Sequence, residues 1–131
     1  MGERMATGSG RKRSKATSAA PQLRRAPAAF EAFVRRFPGL GRAWDQLGEA
    51  GAAAGPLEVR VQRLVKLAIA IGSRQEGAVH SGVRKALHAG ASVAELEQVV
   101  ALAASLLGLP ATVAAYCQVR EECEKSSRRK R

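Results

Sequence analysis

Residues 63–90 decide the fold, and they read RLVKLAIAIGSRQEGAVHSGVRKALHAG. An almost continuous apolar run at the start predicts a buried helix, and the Gly-Ser pair after it predicts a sharp break. The second half predicts another helix, with Glu76, His80 and Arg84 at positions i, i+4 and i+8. This spacing places the three side chains along one helical face. The stretch therefore predicts a pair of helices that carries a carboxylate and an imidazole close together.

The rest of the chain from residue 27 onward also predicts helices. No alternating strand pattern of useful length occurs, and Ala, Leu, Glu, Arg and Lys dominate. The six predicted helices lie at about residues 28–37, around Trp44 and Leu47, and at about 57–71, 74–88, 93–107 and 111–124. Ser92 and Glu95 have the spacing of a capping box at the start of the fifth. The expected fold class is all-α, a compact bundle of about six helices.

The positive charge of the chain is concentrated at its two ends. The net charge is +11, of which residues 1–26 contribute +6 and residues 124–131 contribute +4, so the part between them is close to neutral. Both ends have the composition of disordered segments. We therefore predict a disordered basic tail over 1–26, a helical domain over 27–123 and a second disordered basic tail over 124–131.

The N-terminus and the apolar runs indicate where the protein is located, and the two cysteines indicate whether a disulfide is expected. No apolar segment of the kind a secretory signal needs follows the basic N-terminus, and the longest apolar runs are too short or too rich in Ala to span a bilayer. A cytoplasmic protein without membrane contact is expected. Cys117 and Cys123 are six residues apart, which places them on different faces of one helix. Free thiols are therefore favoured over an intrachain disulfide.

The apolar surface is large for a domain of this size. The segment VVALAASLLGL is apolar nearly all round, which a small monomer could hardly bury. We therefore predict a homo-oligomer. Phe30, Phe33, Phe37 and Trp44 are expected to be core residues.

From residue 63 to about residue 115 the chain resembles the carboxymuconolactone decarboxylase family, which includes the alkyl hydroperoxidase D-like proteins. The matching segments are RLVKLAIAIG, EGAVHSGVRKALHAGAS and ELEQVVALAASLLGLPATVAA, in the order and spacing of the family. Each segment alone is a weak signal, but together they are fairly specific for the fold. The resemblance implies an all-helical subunit that assembles into a trimer or a hexamer.

The residues of the family's thiol peroxidase branch are absent. In that branch a C-x-x-C-x-x-x-H motif opens the helix, and a glutamate on the preceding helix joins a proton relay. The two cysteine positions fall on Gln75 and Ala78, the histidine position on Gly82, and the relay glutamate on Arg63. A thiolate is the group that attacks a peroxide in that scheme, so this activity is not expected here. The decarboxylase branch also has a histidine where this chain has Gly82.

Glu76 and His80 remain as the candidate catalytic pair. A carboxylate one turn before an imidazole can accept its N–H and fix its tautomer, so the pair could act as a general acid and base. Arg63, Lys66 and Arg84 could then hold a substrate carboxylate. The competing interpretation of Glu76 and His80 is a surface pair worth a few tenths of a kcal/mol.

Two further interpretations are weighed against acid/base chemistry. Glu76, His80 and His88 could supply metal ligands, but a zinc site needs three or four converging groups, so neither a metal nor another cofactor is expected. The resemblance favours acid/base chemistry on a small carboxylic acid or lactone, either decarboxylation, which is a lyase reaction, or isomerisation. The alternative is a non-catalytic oligomeric helical scaffold whose basic tails bind nucleic acid or another polyanion. No aromatic residue lies between the charges of the tails to stack on bases, which disfavours that alternative.

Overall fold

The computed structural model describes the backbone of residues 19–131 and the side chains from residue 28 onward. The helices are α1 (Ala19–Arg36), α2 (Pro38–Ala53), α3 (Val59–Gly72), α4 (Glu76–His88), α5 (Val93–Leu107) and α6 (Leu109–Arg129). No strand occurs in this part of the chain, so the predicted all-α class with six helices is confirmed. None of these helices combines the length and the apolar character that crossing a bilayer requires.

The chain divides into two units at the end of α1, and the second unit, Phe37–Arg131, holds α2 to α6. Within it α3 packs against α4 and α5, and α6 packs against α4 and α5. Aliphatic side chains from all four helices fill the space between them, with Leu67, Val83, Leu96 and Val119 completely shielded from solvent. Because α4 packs against both α3 and α6, its side chains can meet residues from either neighbour.

The hairpin of α3 and α4 is held close by Gly82. A Cβ atom built at Gly82 would lie 3.3 Å from Cδ1 of Leu67 and 3.6 Å from its Cα. The missing side chain therefore lets the two helices approach more closely than a larger residue would allow. The turn between them includes Arg74 at a φ of 54°. Ser73 closes the end of α3, since its hydroxyl donates to the carbonyl oxygen of Ile69 at 2.7 Å.

The start of α5 confirms the predicted capping box. The backbone N–H of Glu95 donates to Oγ of Ser92 at 3.1 Å, and the backbone N–H of Ser92 donates to Oε2 of Glu95 at 2.9 Å. Both bonds satisfy donors that a helix N-terminus otherwise leaves without partners. The helix runs over Val93–Leu107, as the sequence predicts.

The last helix is longer than the sequence predicts. The basic tail was expected from residue 124 onward, whereas α6 continues through that residue to Arg129. An i,i+4 ion pair supports the extension, with Nζ of Lys125 lying 3.1 Å from Oε1 of Glu121. The helix therefore continues past residue 123, the predicted end of the domain, to Arg129.

The first helix also begins before its predicted start. α1 starts at Ala19, nine residues before the expected start at 28 and inside the predicted tail over 1–26. Residues 1–18 of that predicted tail lie outside the described part of the chain.

The predicted aromatic core is wrong for the single chain. Phe30, Phe33, Phe37 and Trp44 are 54%, 50%, 42% and 64% exposed. The reason is that the core consists of aliphatic residues from the part of the chain that runs from α3 to α6. The four aromatic residues come earlier: Phe30 and Phe33 lie in α1, Phe37 between α1 and α2, and Trp44 in α2.

Candidate functional site

The centre of the candidate site is a buried imidazole–carboxylate pair that joins α4 to α6. His80 is 7% exposed and Glu122 is 2% exposed. Nδ1 of His80 lies 3.0 Å from Oε2 of Glu122. An ionised carboxylate only accepts hydrogen bonds, so Nδ1 carries the proton. In the neutral ring this leaves the lone pair on Nε2.

Glu122 reaches the core because it continues the buried stripe of α6. Thr112, Ala115 and Val119 are buried at helical spacing, and Glu122 follows Val119 by three residues on the same face. Sequence analysis missed this carboxylate, although the apolar spacing of the helix leads to its position. The helix was expected to end near residue 124, and a charged residue at a helix end is normally solvated.

The second ring nitrogen of His80 faces Glu76. Nε2 is buried and has no hydrogen-bond partner among the described residues. Oε1 of Glu76 lies 3.9 Å from Nε2, and the Glu76 side chain is 44% exposed. The two predicted catalytic residues are therefore neighbours, but the carboxylate that holds the imidazole is Glu122, and Glu76 lies on the solvent side.

Arg84 completes the cluster by pairing with Glu122. Nη1 of Arg84 lies 3.1 Å from Oε1 of Glu122, and the Arg84 side chain is 39% exposed. Burial by itself raises the pKa of Glu122, but the hydrogen bond to His80 and the ion pair with Arg84 outweigh it. The net result is a pKa below the ordinary value for glutamate, so Glu122 is ionised at neutral pH.

Arg63 and Lys66, the other predicted substrate-binding residues, lie on α3 near Lys85 of α4. The pKa of Lys85 is lowered, first by burial and then by the positive charges of Arg63, Lys66 and Arg84. These cations therefore share the hairpin that α3 and α4 form. Of the three predicted substrate-binding residues, only Arg84 contacts the pair of His80 and Glu122 through an ion pair. Arg63 and Lys66 lie on α3.

The positions of the family's thiol motif carry no sulfur. Gln75 is the residue before the first turn of α4, and Ala78 is exposed one turn later. The two cysteines of the chain lie on α6 as free thiols, Cys117 exposed and Cys123 buried. Burial raises the pKa of Cys123, which makes its thiolate less available for attack.

Among the described residues, the site coincides neither with a cluster of metal ligands nor with the groove between α5 and α6. In the segment that the structure describes, no three His, Cys, Asp or Glu side chains are placed to hold a metal ion. A groove of about 570 Å³ runs between α5 and α6 and is lined by residues such as Val100, Thr112 and Tyr116. None of the predicted site residues lines this groove.

Comparison with known proteins identifies the family. Residues 38–121 match the model of the carboxymuconolactone decarboxylase family. None of the curated proteins searched matches the chain. Because the matched region spans more than half of the chain, the chain belongs to the carboxymuconolactone decarboxylase family. The match ends one residue before Glu122, so it includes His80 but not the carboxylate that holds it.

Proposed function

We propose that the protein catalyses acid/base chemistry on a small carboxylic acid or lactone, either decarboxylation or isomerisation, with His80 as the proton-transferring group. One observation carries the proposal: Glu122 holds Nδ1 of a buried imidazole, while its buried Nε2 has no hydrogen-bond partner in the described chain. An imidazole oriented through one nitrogen presents the other as a base. Thiol peroxidase chemistry is not part of this proposal.

In both reactions a proton moves to or from Nε2 of His80. In isomerisation, Nε2 removes a proton from the carbon next to a carbonyl, the electron pair moves into the carbonyl as an enolate, and the proton returns to another carbon. In decarboxylation, carbon dioxide leaves without the bonding electrons, and the remaining carbanion takes a proton from Nε2–H. Glu122 stabilises the positive charge of the ring when Nε2 is protonated, since the two groups are 3.0 Å apart.

Glu76 controls access to Nε2 in this mechanism. Nε2 is shielded in the single chain, and the exposed Glu76 carboxylate beside it is at the first turn of α4. A change of the Glu76 rotamer would open the path to a substrate. The same carboxylate can then exchange the transferred proton with water.

The anionic group of the substrate would be held by arginine and lysine side chains. Arg84 is the closest to His80, and its pairing with Glu122 uses only part of the five N–H donors of a guanidinium. Arg63 and Lys66 add positive charge from α3. All three keep the substrate-binding role expected for them as part of this proposal.

We also propose that the protein works as a homo-oligomer, a trimer or a hexamer. Leu40, Trp44 and Leu47 follow the i, i+4, i+7 spacing of one face of α2, and they are 55%, 64% and 69% exposed. A second copy of the chain is the occupant that fits an apolar stripe on a domain of this family.

The test of the proposed function compares His80→Gln with His88→Gln, since these are the two histidines of the chain. Glutamine at position 80 can still donate to Glu122 but cannot take up a proton. Carboxymuconolactone in D₂O is the probe, and NMR follows carbon dioxide release and deuterium uptake next to the carbonyl. We expect catalysis by the wild type, a loss of at least about a hundredfold in H80Q, and no change in H88Q.

Two results would count against the proposal. The first is a wild-type rate no faster than buffer for both reactions. The second is an H80Q rate equal to that of the wild type, which would leave the non-catalytic scaffold as the better interpretation. Circular dichroism of H80Q must match the wild type for the comparison to apply.

A further inference from the structure

The hairpin of α3 and α4 carries a group of cations that takes no part in the pair between His80 and Glu122. Arg63 and Lys66 are three residues apart on α3, so their side chains are neighbours on its surface. Lys85 follows Gly82 by three residues on α4, and Gly82 is where α4 packs against Leu67 of α3. Lys85 therefore lies at the edge of α4 that meets α3.

These cations carry like charges on two helices that pack directly against each other. The charges of Arg63 and Lys66 are among the causes that lower the pKa of Lys85, after burial. In the described part of the chain, no carboxylate forms an ion pair with Arg63, Lys66 or Lys85. Four other cations of the same domain are paired with glutamates: Arg60, Arg84, Arg120 and Lys125. The group of three is thus an uncompensated local concentration of positive charge.

We propose that Arg63, Lys66 and Lys85 form a binding site for a small phosphate dianion, either inorganic phosphate or a phosphate monoester. A phosphate group carries a charge of about −1.5 to −2 at pH 7 and three strong acceptor oxygens. A guanidinium binds two of these oxygens in a fork, and each ammonium supplies a point charge. A single carboxylate, with one charge and two oxygens, can bind near Arg63 and Lys66 but compensates less of the charge of all three cations than a phosphate does.

The local character of the charge favours a small ligand over a nucleic acid. The cations that flank the group on the same two helices, Arg60 and Arg84, are paired with glutamates, so the three cations do not continue into an extended basic face there. Binding along a nucleic acid backbone requires such a face. The inference goes beyond the proposed function, because it requires no proton transfer at His80.

The experiment is a titration with inorganic phosphate and with phenyl phosphate, at constant ionic strength maintained with sodium chloride. Calorimetry gives the affinity, and NMR of the lysine side chains gives the pKa of Lys85 with and without ligand. The variants are R63Q, K66Q and K85Q, and the matched control is K125Q, which removes the same charge from a lysine on α6. H80Q is titrated in parallel.

We expect saturable binding at one site per chain and a rise in the pKa of Lys85 when phosphate is bound. Each of R63Q, K66Q and K85Q should weaken binding about tenfold, the size of one charge-assisted hydrogen bond. K125Q and H80Q should bind as the wild type does, so a failure of the acid/base proposal leaves this result intact. Tighter binding of phenyl phosphate than of inorganic phosphate identifies a monoester as the ligand, and the reverse order identifies free phosphate.

Three results would overturn the site. One is a titration in which neither phosphate compound gives a saturable heat signal larger than that of sodium chloride alone. Another is an equal loss of affinity in K125Q and in the three site variants. The third is binding of a single-stranded oligonucleotide under conditions in which neither phosphate compound binds. Circular dichroism of each variant confirms that the helices are retained before affinities are compared.

Discussion

Replacement of His80 by alanine is expected to lower the free energy of unfolding by about 3 kcal/mol. The variant leaves Glu122 ionised and 2% exposed, with only Arg84 to compensate its charge. Loss of the hydrogen-bond donor to a buried carboxylate is costly because the carboxylate keeps its charge and its desolvation penalty. Urea denaturation of the wild type and H80A measures the difference.

The double variant H80A/E122Q separates this cause from the loss of packing. A glutamine at position 122 carries no charge, so the double variant is expected to be more stable than H80A alone. E122Q alone retains an acceptor for the Nδ1–H group of His80 and should cost less than H80A. Effects of the two substitutions that add to within about 0.5 kcal/mol would contradict a direct pairing.

The same denaturation series at lower pH provides a check on the charge of Glu122. Its pKa in the folded chain is below the ordinary value of about 4.3, owing to the contacts with His80 and Arg84 that outweigh burial. A group with a lowered pKa contributes stability above its unfolded pKa and loses that contribution as the pH falls through its folded pKa. The advantage of the wild type over E122Q should therefore be complete above about pH 5 and disappear in stronger acid. A constant difference down to pH 2 would contradict an ionised Glu122.

Replacement of Trp44 by glutamate is expected to weaken self-association of the chain at least tenfold. Trp44 is 64% exposed at the middle of the stripe formed with Leu40 and Leu47. Buried aromatic anchors carry much of the energy of protein interfaces, and a charge at such a position remains desolvated without a partner. Sedimentation equilibrium should show a multiple of the 13.8 kDa chain for the wild type and dissociation toward 13.8 kDa for W44E.

The conservative variant W44F is the control for the association measurement. Phenylalanine retains most of the apolar surface, so W44F should associate nearly as the wild type does. A wild type that sediments at 13.8 kDa at every concentration would contradict the proposed oligomer. Association of W44E as tight as that of the wild type would show that the stripe is not part of the interface.

Where a local signal decided the structure, the sequence was sufficient to predict it. The bounds of α5 follow from Ser92 and Glu95, whose side chains satisfy the first N–H groups of the helix. The sequence also predicts that Glu76, His80 and Arg84 share one face of α4, because residues four positions apart lie on the same side of any α-helix. The resemblance to the family was based on segments between residue 63 and about residue 115, and the family match over residues 38–121 includes them.

What the sequence could not provide depends on contacts between distant parts of the chain. Glu122 is 42 positions from His80, and only the packing of α6 on α4 brings the two together. The exposure of Trp44 could not be predicted either, because hydrophobic spacing indicates which face of a helix is buried but not whether its own chain or another copy covers it. The end of α6 at Arg129 could not be predicted from composition, which assigns residues 124–131 to a tail. The pair of Lys125 and Glu121 supports the helix in this segment.

The central claim is that Glu122 holds His80 through Nδ1 and leaves Nε2 free to accept a proton. ¹⁵N NMR of the labelled protein, recorded on the neutral form of the ring, tests it most directly. The claim predicts a single tautomer for His80, with a proton on Nδ1 and an unprotonated Nε2. A proton on Nε2, or a mixture of the two tautomers, would contradict it.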